Sequence, residues 1–107
     1  MAPWRLRRVT DLIESRLAVG VPLAEMALHA GLSTFHFCRQ FKRTTGLTPH
    51  QFVLHRRVER AKQCLRSGES TPLAVIGEKL GFVSQSHFTT VFRRLAGVTP
   101  RAYRERV

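Results

Sequence analysis

Acidic residues are scarce in this 107-residue chain: seven Asp and Glu stand against 18 Lys and Arg, a formal net charge of +11. Such an imbalance opposes compaction by self-repulsion and favours a polyanionic partner. Cysteine is scarce too. Cys38 and Cys64 have no second Cys or His at zinc-like spacing, so free thiols in a reducing cytosol are expected. No apolar run approaches the roughly 18 residues of a membrane span, and no signal-peptide pattern opens the chain. It reads as cytoplasmic. A glycine-rich phosphate loop and a serine or cysteine set in a nucleophile motif are both missing. The five histidines, His29, His36, His50, His55 and His87, show no ligand spacing with one another or with a carboxylate. These absences argue against an enzyme, a metal site or a cofactor. His36 and His87 are expected to pack at the edges of two equivalent units.

Hydrophobic residues make up 43% of the chain, enough for a real core, so disorder is excluded despite the charge. The length suits one compact domain or two small subdomains sharing a helix. The positive excess is spread along the chain: +2 over 1–21, +2 over 22–48, +3 over 49–71 and +4 over 72–107. A disordered basic tail would concentrate it at one end. This is a charged face on a folded body.

No stretch alternates with period two over strand length, whereas helical spacing recurs throughout. Leu6, Val9, Ile13 and Leu17 mark a first helix ended by Gly20. Pro22 suits the first turn of a short second helix, stopped by Gly31. Ser33 is a good N-cap for a third helix to about Thr45, with Gly46 beyond its end. Thr48-Pro49 starts a long helix to about Arg66, with Leu54, Val58, Ala61 and Leu65 as its apolar stripe. Thr71-Pro72 opens another to about Leu80, Ser84 caps one to about Ala96, and Thr99-Pro100 opens the last. The predicted fold is all-α. Its expected segments are 1–48, a connecting helix at 49–66, and 67–107.

Part of this pattern is a duplication. Ser33, Phe37, Phe41, Gly46, Thr48 and Pro49 reappear 51 positions on as Ser84, Phe88, Phe92, Gly97, Thr99 and Pro100. Leu23, Ala24 and Gly31 reappear 50 positions on as Leu73, Ala74 and Gly81, so the second copy has one extra residue between Gly81 and Ser84. Each copy fits a helix-turn-helix, in which two steeply crossed helices meet at a tight turn. The turn glycine tolerates positive φ, and the residue four before it must be small to admit the second helix. Ala27 with Gly31, and Gly77 with Gly81, meet both needs.

With Phe37, Phe41, Phe88 and Phe92 turned inward, the opposite faces are free to meet double-stranded DNA. Thr34, Phe35 and Arg39 in the first copy, and Gln85, Ser86, Thr89 and Thr90 in the second, are the expected base readers. They lie toward the helix N-termini, where recognition helices contact base edges. Arg39 suits guanine, Gln85 adenine, and Phe35 a thymine methyl. Lys42, Arg43, Arg93 and Arg94 follow as expected phosphate contacts. Seventeen residues of the connecting helix (50–66) span about 26 Å at 1.5 Å per residue. Adjacent major-groove segments on one face recur about every 34 Å. One chain is thus expected to place two helices, about 33–45 and 84–96, in successive segments of a site that need not be palindromic, with some bending of the DNA.

The run from Gly31 to Lys42 followed by Gly46-Leu-Thr-Pro49 resembles the first motif of the AraC/XylS family of bacterial transcription regulators. The run from Gly81 to Arg94 followed by Gly97-Val-Thr-Pro100 and Tyr103-Arg104 is similar to that family's second, more specific signature. The resemblance covers about residues 4–105. It implies seven helices, two helix-turn-helix units and sequence-specific DNA binding in transcription regulation. It assigns base contact to Phe35, Arg39, Gln85, Ser86 and Thr90, and phosphate contact to the cations around them. Activators of this kind also touch RNA polymerase. The chain departs from the pattern at Gly77, where alanine is usual, at Thr90, where a longer residue is often found, and at Cys38. That thiol is read as a small residue near DNA rather than as a sensor.

Most members of the family carry a separate effector-binding or dimerisation domain, which is expected to be absent from this chain. Both a small single-domain regulator and the DNA-binding portion of a longer one fit, the second being preferred. Two alternatives stay open: a non-specific architectural DNA binder, and the DNA-binding module of a repair enzyme whose reactive domain lies outside this chain.

Overall fold

The computed structural model describes residues 1–68 and 70–106. Its elements are α1 (Pro3–Ser15), α2 (Leu23–Ala30), α3 (Thr34–Thr45), α4 (Pro49–Arg66), α5 (Leu73–Lys79), α6 (Gln85–Ala96) and α7 (Pro100–Arg106), with no strand among the described residues. The chain is all-α, as its periodicity requires. The contacts divide it into two compact units, residues 1–53 and 54–107, so α4 contributes its first five residues to one unit and the remainder to the other.

In the first unit, Val9 and Ile13 of α1, Met26, Ala27 and Ala30 of α2, Phe37 and Phe41 of α3, and Val53 of α4 form one buried cluster with Leu17. The Phe41 ring meets Phe52 edge-on, with centroids 5.3 Å apart. The second unit closes its own core from Leu54, Val58, Ala61 and Leu65 of α4, Ile76 of α5, Phe88, Val91 and Phe92 of α6, and Leu80 and Phe82. There Phe92 meets Tyr103 of α7 in the same edge-on way, at 5.6 Å.

The duplication therefore extends beyond its glycine and proline punctuation. Val9 and Ile13 of α1 have counterparts in Ala61 and Leu65, 52 positions on, and Phe52 has one in Tyr103, 51 positions on. Each unit is a supporting helix, a helix-turn-helix and a closing helix. In α4 the first unit's closing helix runs without a break into the second unit's supporting helix.

Local chemistry sets the helix ends. The hydroxyls of Ser33 and Ser84 accept from the backbone N–H of His36 and His87, capping α3 and α6. Gly46 and Gly97 close the same helices in the left-handed conformation. Thr48 and Gln51 form a reciprocal capping box at the start of α4: each backbone N–H donates to the other's side-chain oxygen. Pro22 and Pro72 sit just outside α2 and α5, at the N-cap, rather than within the first turn. The first helix is shorter than its apolar spacing suggests. It stops at Ser15, where the Ser15 hydroxyl donates to the Leu12 carbonyl, yet Leu17 is still buried by the turn that follows.

Candidate nucleic-acid interface

Burial of the phenylalanine pairs decides which faces of α3 and α6 remain outside. Phe37, Phe41, Phe88 and Phe92 are each 0% exposed. Residues at i, i+4 and i+7 on the far side form one row per helix. On α3 the row is Phe35, Arg39 and Lys42, and on α6 it is Ser86, Thr90 and Arg93; all six side chains are exposed. Thr34 and Arg43 flank the first row, Gln85 and Arg94 the second, and these too are exposed. Thr89 is the exception, half-buried at the edge of the core face.

Two members of the first row pack on each other. The Arg39 guanidinium lies over the Phe35 ring, 5.5 Å from its centroid, and Phe35 is 65% exposed. Phe35 is the one large apolar side chain in either row. Among the described residues, Arg39, Lys42, Arg43, Arg93 and Arg94 make no ion pair, so their charge is uncompensated within the fold.

Within the first unit a groove of about 630 Å³ runs beside this row. Its walls come from Leu23 at the start of α2, Arg39, Lys42 and Arg43 on α3, and Pro49 and His50 at the start of α4. Cys38, half-buried and free, also faces it. No carboxylate lines the groove. Its exposed lining is almost wholly apolar, the stems of Arg39, Lys42 and Arg43 included. Leu23 and His50 are not legible in the sequence as lining this groove, because only the fold brings the starts of α2 and α4 beside α3.

The two equivalent histidines part company. His87 is half-buried against the Phe82 ring, at 5.5 Å, as edge packing requires. His36 is exposed; it pairs with the Ser33 hydroxyl at 2.8 Å and lies against Phe35 rather than the core. The extra residue of the second turn, Val83, accounts for the difference: it lets Phe82 fold in beneath His87 while Val83 itself stays 88% exposed. Among the described residues, no group of three or more His, Cys, Asp or Glu is placed to hold a metal ion, and no helix is long and apolar enough to cross a membrane.

Comparison with known proteins gives this arrangement relatives. A family model described as a helix-turn-helix domain matches residues 26–106, which take in both turns together with α3 and α6. The probable transcriptional regulator LumQ of Photobacterium leiognathi is 38% identical over 95 residues, which are 89% of this chain and 38% of that protein. The MmsAB operon regulatory protein of Pseudomonas aeruginosa is 35% identical over 95 residues, 89% of this chain and 31% of that protein. The chain thus spans about a third of the length of these relatives. Among solved structures, a transcriptional regulator from Chromobacterium violaceum, of the AraC-type DNA-binding domain-containing proteins, superposes with a TM-score of 0.89 at 29% identity, covering 95% of this chain and 90% of that one. From its span across both turns, the chain belongs to the helix-turn-helix domain family, as an AraC-type member.

Proposed function

We propose that the chain binds double-stranded DNA sequence-specifically, as the reading module of a bacterial transcription regulator acting in the cytoplasm. One observation carries this: two capped helices, each following a tight turn, present matched exposed rows, Phe35–Arg39–Lys42 and Ser86–Thr90–Arg93, whose cations have no ion-pair partner among the described residues. Residues 1–48 and 67–107 carry the two reading faces, and 49–66 joins them. Phe35, Arg39 and Thr34 read bases from α3; Gln85, Ser86 and Thr90 read them from α6, with Thr89 a minor contributor because of its burial. Lys42, Arg43, Arg93 and Arg94 hold phosphates.

Selection of binding sites from a random double-stranded pool, with affinity followed against salt, tests the reading. An enriched, two-part, non-palindromic motif is expected, because the two rows differ in every residue that reaches a base edge. Affinity without an enriched motif, collapsing as salt rises, would reduce the module to a phosphate grip and return the architectural alternative.

A further inference from the structure

Arg5 stands in the first turn of α1, and its Nη1 donates to the carbonyls of Ala30 and Gly31, the latter at 3.2 Å. Those carbonyls end α2, where helix carbonyls lack partners and the macrodipole is negative. In the second unit Arg57 Nη1 donates to the carbonyl of Gly81, at 3.3 Å, where the stretch after α5 turns toward α6. The two arginines are 52 positions apart, the same offset that relates Val9 to Ala61 and Ile13 to Leu65. Each is backed by an aromatic ring: Trp4 lies 4.4 Å from the Arg5 guanidinium and Phe82 lies 6.0 Å from that of Arg57. Burial holds Arg57 below the usual guanidinium range. Gly31 sits at φ +69°, and Arg5 Nη1 comes within 2.8 Å of where a Cβ would stand there. Ser33 and Ser84, the N-caps of α3 and α6, follow two and three residues after the clamped glycines.

We propose that Arg5 and Arg57 are paired positioning residues: each fastens the turn of its own unit and so sets the pose in which α3 or α6 meets DNA, without touching DNA. The inference rests on the DNA-reading assignment above. Between the two copies the reading rows have diverged, Phe35 to Ser86 and Arg39 to Thr90, while the clamp has stayed. A guanidinium suits this role better than an ammonium, because its planar fork can bond carbonyls while its face rests on a ring.

Two measurements on Arg5→Met, Arg5→Lys, Arg57→Met and Arg57→Lys test it. Amide hydrogen exchange in the free protein should accelerate at residues 31–33 in Arg5→Met and 81–84 in Arg57→Met, with the buried core amides of α3 and α6 unchanged; unchanged exchange at the turns overturns the clamp whatever the DNA result. On the selected site, each Met variant should lose about tenfold in preference over random DNA, at an unaltered salt slope, and each Lys variant, which keeps a donor but not the planar fork, should recover part of it. Equal loss on both DNAs, with the slope smaller by about 0.9, would make the arginine a phosphate contact and overturn the proposal. If one Met variant loses its helical circular dichroism, its Lys partner and the other unit's pair decide, with Trp4 fluorescence reporting the first turn. Absence of any preference in the unmodified chain would sink the DNA-reading assignment instead, and the exchange data would still judge the clamp.

Discussion

At the residue scale, direction explains most of what can be foreseen. Four phenylalanines, paired four apart on one face each of α3 and α6, point inward together, and this places Phe35, Arg39, Ser86 and Thr90 outside. Arg39→Ala should relax discrimination at one base pair by about 1–3 kcal/mol, measured by competition among single-base-pair variants of the selected site. Equal loss on selected and random DNA would remove its base-reading role. Arg94→Ala should weaken all sequences alike and lower the magnitude of the salt slope by about 1, read from affinity between low and moderate salt. Arg5 and Arg57 escaped the sequence because an arginine on a helix has the same appearance whether it meets water, phosphate or a carbonyl 24 to 26 residues away. Spacing alone sets Thr89 on the outer face, and only the packing of α6 shows it half-buried.

At the scale of elements, the ends of α3 and α6 were legible because serine N-caps and left-handed glycines have few substitutes. Ser84→Ala should cost about 1 kcal/mol, seen as a lower urea midpoint with little change in slope. The early end of α1 was not legible, since Leu17 continues the apolar spacing past the last helical turn. Gly77 is a departure that the structure explains. A Cβ there would sit 3.0 Å from Phe88 Cδ2 and 3.1 Å from Phe88 Cβ, and the latter, next to the backbone, cannot swing aside. Alanine should gain helix propensity of about 1 kcal/mol but overpack a fully buried ring, at a cost of about 1–3 kcal/mol. The second effect wins. Gly77→Ala should lower the urea midpoint, and a rise would mean that α6 yields without strain.

At the scale of the molecule, the chain is a duplicated four-helix unit fused through α4, with each copy closing its own hydrophobic cluster. The turn and the second helix betrayed the duplication in sequence, because glycine, serine and proline leave a fixed register. The supporting helices and the closing helices beyond their first proline did not, because apolar residues exchange freely there, Val9 for Ala61 and Phe52 for Tyr103. Separate cores have a consequence for recognition. Each reading row is backed by its own hydrophobic cluster, and independent sites add to within about 0.5 kcal/mol. Arg39→Ala combined with Gln85→Ala should therefore cost, on the selected site, the sum of the two single losses. The check is a double-mutant cycle by competition binding at fixed salt, with salt held constant because the +11 charge makes every affinity depend on it. A combined loss well below the sum would mean that releasing one row already frees the other from its bases, so that the units read as one cooperative body. A loss above the sum would mean that each row compensates for defects in the other. Additivity is the outcome that two closed cores predict.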